Sequence, residues 1–235
     1  MTTPNPDYAG AYHDVRVVLM ELLRSRSDAE LDVIAPATPE WRVRDIAAHL
    51  AGVCDDITQG NMTGVASDEW TAAQVAKRAD WATGRLLDDW DEHATFVEGQ
   101  MNALGPGMGQ MLFDAFTHEQ DIRGALGEPG RRDSAAEAIA FDWIVTNMRA
   151  PADASPDDSR LRPPIHLVTD AGEADIFGAP GSATTLRVSR FEFLRSITGR
   201  RSRRQIEALG WDGAPRVDDL CVSDLFRPAL VDIVE

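Results

Sequence analysis

The stretch DAFTHEQDIRGALGEPG, Asp114 to Gly130, puts a carboxylate, an imidazole and a second carboxylate into what otherwise reads as a buried helix. Met111, Ala115, Ile122 and Ala125 supply apolar positions, so the pattern predicts a helix from Met111 to Leu126, closed by Gly127 and by Pro129 just beyond it. Residues four apart on a helix lie one turn above each other. Asp114 and His118 therefore share a face, and Asp121 continues it three residues later. An isolated ion in such a stripe costs on the order of several kcal/mol, so each polar group needs a partner.

Upstream, Val15, Val17, Val18, Leu19, Leu22 and Leu23 recur at helical spacing between Tyr8 and Arg26, and SDAELDVIAPATPEW (Ser27–Trp41) breaks the pattern with two prolines and reads as a loop. Thr38-Pro39 is a turn signal ahead of a second helix, along which Val43, Ile46, Ala47, Leu50 and Val53 share one side and Gly60 is a stop. His49 lies between Ile46 and Val53 at spacings of three and four, at or beside that apolar stripe. Two helices thus aim polar groups at one interior. Trp70, Val75, Trp81, Leu86, Leu87, Trp90, Phe96 and Val97 extend a helical pattern from Asp68 to Met101, either one long helix or one broken near its middle, where Gly84 weakens it. GPGMG (Gly105–Gly109) then resets the chain.

Downstream, Ser134 to Met148 reads as a further helix with Ser134 and Glu137 in capping-box register. RAPADASPDDSRLRPP (Arg149–Pro164) has little to bury and reads as a linker, which places a boundary near residue 150: a helical domain over 1–150 and a smaller one over 151–235. IHLVTD (Ile165–Asp170), EADIFG (Glu173–Gly178) and TTLRVS (Thr184–Ser189) are short β-branched runs, followed by the helix-like RFEFLRSITG (Arg190–Gly199) and RSRRQIEALG (Arg201–Gly210). The fold class is α+β, a helical bundle with a small α/β domain after it.

A net charge of −16 and a pI near 4.6 argue against nucleic acid or an anionic membrane as partner. Cys54 and Cys221 are too few for a disulfide framework and form no CxxC pair, which fits a reducing cytoplasm. The first residues lack a basic segment followed by an apolar run, and no stretch of about 18 apolar residues occurs, so no membrane span or secretion signal is expected. Cys54, five residues after His49, falls off that residue's face and reads as a small buried thiol. His13, His93 and His166 have no partner at metal-ligand spacing, and GPGMGQ matches no phosphate-binding fingerprint.

Two imidazoles and one carboxylate, His49, His118 and Asp114, make the ligand set of a zinc ion with an open fourth position; imidazole equally suits nickel, iron or copper, and the spacing does not choose among them. The same residues also fit a plainer arrangement of solvent-facing or backbone-bonded side chains. Asp121 either pairs with a cation elsewhere or orients His118 from behind.

Three segments, WRVRDIAAHLAG (Trp41–Gly52), DAFTHEQDIRGALG (Asp114–Gly127) and FEFLRSITGRRSRRQIEALGWDG (Phe191–Gly213), together resemble the mycothiol-dependent maleylpyruvate isomerase family, within the DinB-like metalloprotein superfamily. The resemblance implies a DinB-like four-helix bundle holding a divalent metal, usually zinc, through His49, Asp114 and His118, with a small carboxyl-terminal domain. The family's acidic ligand is typically Glu; Asp114 is one methylene shorter, so that a metal would sit closer to that helix, bind weakly or be absent. The chemistry implied is addition of mycothiol, a low-molecular-weight thiol, to a small electrophile, giving isomerisation or a stable conjugate.

In GRRSRRQ (Gly199–Gln205) the arginines, with Arg200 and Arg201 as the catalytic candidates, suit a carboxylate of substrate or thiol, and equally an ion-pair patch or a solvated helix start. Beside the enzyme stands a second reading, a non-catalytic metal- or ligand-binding module of the same fold.

Overall fold

The computed structural model describes residues 6–149, 162–178, 184–221 and 226–235. They divide into two compact units, one running to Gly130 and including Glu235, the other from Arg131 to Val234.

The first unit opens with α1 (Tyr8–Arg24), capped by Asp7, whose carboxylate accepts from the Gly10 N–H. The expected loop after it is more ordered than its prolines suggest. A Ser27–Glu30 capping box starts the short α2 (Asp28–Leu31), and β1 (Ile34–Ala35) pairs antiparallel with β2 (Thr38–Arg42). Pro39 is tolerated because this two-stranded sheet is all edge. Strand β2 runs straight into α3 (Val43–Gln59), which ends at Gly60 with φ of 73°. That left-handed turn is where glycine carries no Cβ penalty.

The pattern from Asp68 onward resolves into α4 (Asp68–Arg78) and α5 (Thr83–Leu104). The break lies ahead of Gly84, at Trp81. The Arg44 guanidinium of α3 donates to the Trp81 carbonyl at 2.6 Å, and the guanidinium of Arg85 lies 3.8 Å from the Trp81 ring centroid. A turn of 3-10 helix over Gly105–Met108 then leads into α6 (Gly109–Leu126), closed as expected by Gly127 in the left-handed region.

Helices α1, α5, α3 and α6 form a closed ring, each packing on the next and α6 returning to α1, while α4 leans on the outer side of α3. Val15 and Leu19 of α1, Ile46 and Leu50 of α3, Leu87 and Trp90 of α5, and Leu112 and Phe116 of α6 fill the interior. This is the expected four-helix bundle.

In the second unit, α7 (Ala135–Met148) packs on α8 (Arg190–Ile197) through Phe141 and Phe193, whose ring centroids are 5.7 Å apart. Between them in sequence come β3 (Ile165–Thr169), β4 (Gly172–Ile176) and β5 (Thr185–Arg187); α9 (Arg203–Glu207), β6 (Gly210–Asp212) and α10 (Val217–Leu220) follow. The four strands make one mixed sheet in the order β4-β3-β5-β6, with β3 and β5 parallel and the outer pairs antiparallel. Leu167 and Leu186 are paired in register and fully buried at its centre.

The Pro- and Asp-rich stretch expected as a linker lies for the most part outside the described residues. The contacts divide the chain earlier than the expected boundary near 150. Helix α7 belongs with the sheet because Phe141 packs on α8, Glu137 ion-pairs with Arg190 at 3.2 Å, and the Met148 carbonyl accepts from the Phe177 N–H. Ser134 caps α7 as expected, through the Glu137 N–H, whereas the Glu137 side chain turns to Arg190 rather than closing the box.

Candidate metal centre

Where β2 meets α3, the Arg42 guanidinium forks onto Asp45 with two bonds of 2.9 Å, and the Arg42 N–H reaches the same carboxylate. Burial works against charge on Asp45, but these bonds outweigh it and hold its carboxyl below the usual carboxylate range. The helix start is fixed, and with it the position of Trp41 and the direction of His49 one to two turns on.

His49, Asp114 and His118 come together as expected: one ligand atom from each lies within 4.8 Å of the others. His49 Nε2 is 3.2 Å from Asp114 Oδ2, and His118 Nε2 is 3.5 Å from Asp114 Oδ1. Both imidazoles are buried and the carboxylate is partly exposed, so the cluster has one open side. Trp41 lies over both rings, 5.3 Å from the His49 centroid and 5.7 Å from that of His118, stacked on the latter at 29°.

What stands behind each imidazole sets its tautomer. The Nδ1 of His118 is 2.9 Å from the carboxylate of Asp121, which is 1% exposed and can only accept, so that nitrogen carries the proton. Asp121 thus orients His118, while Arg123 turns away to Glu119 at 2.9 Å. The Nδ1 of His49 is 2.8 Å from Gln74 Oε1, and Gln74 Nε2 donates to Asp56 at 2.7 Å. A reversed amide would set two acceptors against each other at Asp56, so the oxygen must face His49. In both neutral imidazoles the lone pair then lies on Nε2, toward Asp114.

Three acceptor atoms facing one another at these distances repel unless positive charge sits among them, either as protons on the imidazoles or as a cation. Distances fixed by four elements, both Nδ1 hydrogens held outward, and one carboxylate fit a divalent ion with N/O preference and an open coordination position.

The expected arginines lie in the second unit. Arg201 forks onto Glu192 at 2.7 and 2.8 Å and also donates to the Arg200 carbonyl, while Arg200 donates to the Thr198 carbonyl at 2.6 Å. Both are buried. Sequence reasoning did not reach Gln74 or Trp41. Gly52 carried the signal for Gln74: a Cβ there would stand 2.4 Å from Gln74 Cβ, so only glycine lets α4 approach α3 at that level.

Cys54 is the buried thiol expected, 3.0 Å from the Tyr12 hydroxyl and pushed up to about 12 by burial. His13, His93 and His166 pair with other carboxylates, those of Glu98, Asp55 and Asp175. No helix among the described residues is long and apolar enough to cross a membrane.

No curated protein matches the chain in sequence. A crystal structure of a histidine-to-alanine mutant of mycothiol-dependent maleylpyruvate isomerase is similar in fold, with a TM-score of 0.60 over 92% of this chain and 99% of that one at 13% identity. Residues 12–128 match the family described as the mycothiol maleylpyruvate isomerase N-terminal domain, and by that domain, which holds all three converging side chains, the chain belongs to the mycothiol maleylpyruvate isomerase family.

Proposed function

We propose that the protein is a metal-dependent enzyme that activates a low-molecular-weight thiol, mycothiol, toward a small electrophile. The observation that supports this reading is the convergence of His49, Asp114 and His118 with both imidazole lone pairs turned toward the same carboxylate. His49, Asp114 and His118 would hold a divalent ion, zinc if the family resemblance carries over, which would supply Lewis acidity and favour the thiolate form of a thiol.

The chain's own groups do the rest. Asp121 and Gln74 keep the two imidazoles oriented, and the Trp41 indole covers one side of the cluster and limits water there. Arg200 and Arg201 are assigned to hold a carboxylate of substrate or thiol, because a planar guanidinium matches a carboxylate in both charge and geometry.

Thiolate addition to an electron-poor double bond leaves a single bond free to rotate, and elimination then returns both the thiol and the isomerised product. If elimination does not follow, the S-conjugate is the product. The same reading places the work in the cytoplasm, where such thiols are kept reduced.

The test is to load purified protein with zinc, add mycothiol and maleylpyruvate, and follow product and thiol together. Turnover without net loss of thiol is expected for an isomerase; one thiol consumed per product marks a transferase. Bound metal with neither turnover nor thiol affinity would instead select the non-catalytic binding module.

A further inference from the structure

Resting on the reading of His49, Asp114 and His118 as metal ligands, we propose that Gln74 is a positioning residue for that centre: held by Asp56 and admitted by Gly52, it fixes His49 in the tautomer that presents Nε2 to the metal.

Three contacts fix this arrangement. Asp56, near the end of α3, accepts from Gln74 Nε2 at 2.7 Å and from Asn61 Nδ2 at 2.8 Å, so its two oxygens are both engaged. That sets the direction of a buried amide, 3% exposed, whose oxygen then has one role open to it, to accept from His49 Nδ1 at 2.8 Å. Gly52, three residues after His49 and facing α4, leaves room for the close approach at this level, since its Cβ would stand 2.4 Å from Gln74 Cβ and 2.6 Å from Gln74 Cγ.

The arrangement is asymmetric in charge. His118 is backed by the carboxylate of Asp121, His49 by a neutral amide whose own partner is a carboxylate one step further out. A histidine that donates its far N–H to a fixed acceptor is a better-placed and more basic ligand, and loss of such an acceptor typically weakens metal affinity about 10- to 100-fold. A residue serving only to pack α4 against α3 would change stability and leave the affinity of the folded protein alone.

The experiment is a competition titration with cobalt(II) against a chromophoric chelator, on full-length wild type, Gln74→Leu and the double variant Gln74→Glu with Asp56→Asn. The double variant keeps every contact complementary, with the bond between positions 74 and 56 reversed in direction, while moving the charge one step inward. Gln74→Leu is expected to bind cobalt about 10- to 100-fold more weakly, and the double variant to recover wild-type affinity or exceed it. Should Gln74→Leu fail to fold, the imidazole nitrogen resonances of zinc-loaded wild type decide: a proton on His49 Nδ1 with zinc on Nε2 is expected, and a proton on Nε2 overturns the inference. Wild-type affinity in a folded Gln74→Leu also overturns it while leaving the metal centre intact. A wild-type chain that takes up no cobalt defeats the reading of the centre as well.

Discussion

Helix α3 carries two buried polar clusters, and they are balanced in different ways. At its C-terminal half, Asp55 faces α4 and α5, where Arg78 donates to it at 2.9 Å and to Asp89 at 2.8 and 3.0 Å, Lys77 closes on Asp55 from the rim, and His93 stands 3.5 Å away. Burial alone would push the Asp55 carboxyl up, but the hydrogen bonds from Lys77 and Arg78 outweigh it and hold it below the usual range. That cluster carries its own cations. Less than two turns earlier, His49 faces Asp114 and His118 with its lone pair forward, and the three facing groups are all acceptors once the imidazoles are neutral. A self-balanced cluster cements three helices; the other needs positive charge among its acceptors, as protons on the imidazoles or as the cation proposed above.

The largest effect should follow from removing the acceptor that joins the two imidazoles. Asp114→Asn replaces an anionic oxygen with an amide while keeping the shape, and it is expected to weaken cobalt or zinc binding by more than about 100-fold, beyond the range for outlying partners. The folding stability of the metal-free protein should stay level or rise, because an exposed-edge carboxylate is no longer forced against two lone pairs. Asp114→Glu, which restores the ligand usual in the family, should keep the metal. Affinity by competition and unfolding by urea, measured on the same samples, check both halves, and a metal-free Asp114→Asn that is markedly less stable would erase the contrast between the clusters.

Arg78→Leu probes the other side. The Arg78 side chain is fully buried, and removing it leaves Asp55 and Asp89, among the described residues, with Lys77 and His93 as their ion-pair partners. Breaking a buried pair from one side costs about 3–5 kcal/mol, and the surviving Lys77 puts the expectation toward the lower figure. Urea unfolding of the metal-free protein reads it directly. A loss under about 1 kcal/mol would class the network with ordinary surface ion pairs.

The contrast also shows what the sequence could and could not disclose. The helical spacing of Asp114, His118 and Asp121 was legible because all three lie on one helix, where position alone fixes the face. His49 was legible from its place beside the stripe of α3, and Gly60 and Gly127 marked helix ends because both adopt positive φ. Gln74 was not. Its meaning depends on how α4 docks across α3, and no periodicity within α4 encodes which α3 residue lies opposite; Gly52 alone hints at it. The hairpin bearing Trp41 was hidden by two prolines that read as loop, and the break at Trp81 by the lack of any glycine or proline in front of it. The unit boundary fell at Gly130 rather than near 150 because long-range packing of Phe141 and the Glu137–Arg190 pair, not composition, decides where α7 belongs.

Glu137 offers the smallest and most graded test of the same principle. It is fully buried in the second unit, its carboxylate oxygens make no hydrogen bond among the described residues, and Arg190 at 3.2 Å only partly offsets the lost hydration. Burial therefore lifts its carboxyl from 4.5 to about 7, the opposite outcome to Asp55. With the folded value raised above the unfolded one, the native state holds the proton more tightly between those two values, so stability is greatest below about 4.5 on this account and falls as pH rises toward 7. The loss between pH 5 and pH 7 is expected to be about 2 kcal/mol at most, since each pH unit contributes about 1.4 kcal/mol. In Glu137→Gln that slope should vanish, seen as the difference between wild-type and variant urea midpoints at each pH. Equal slopes in the two proteins would mean that Arg190 neutralises Glu137 as fully as Arg78 and Lys77 neutralise Asp55, and that a single guanidinium without hydrogen-bond geometry is enough to balance a buried carboxylate.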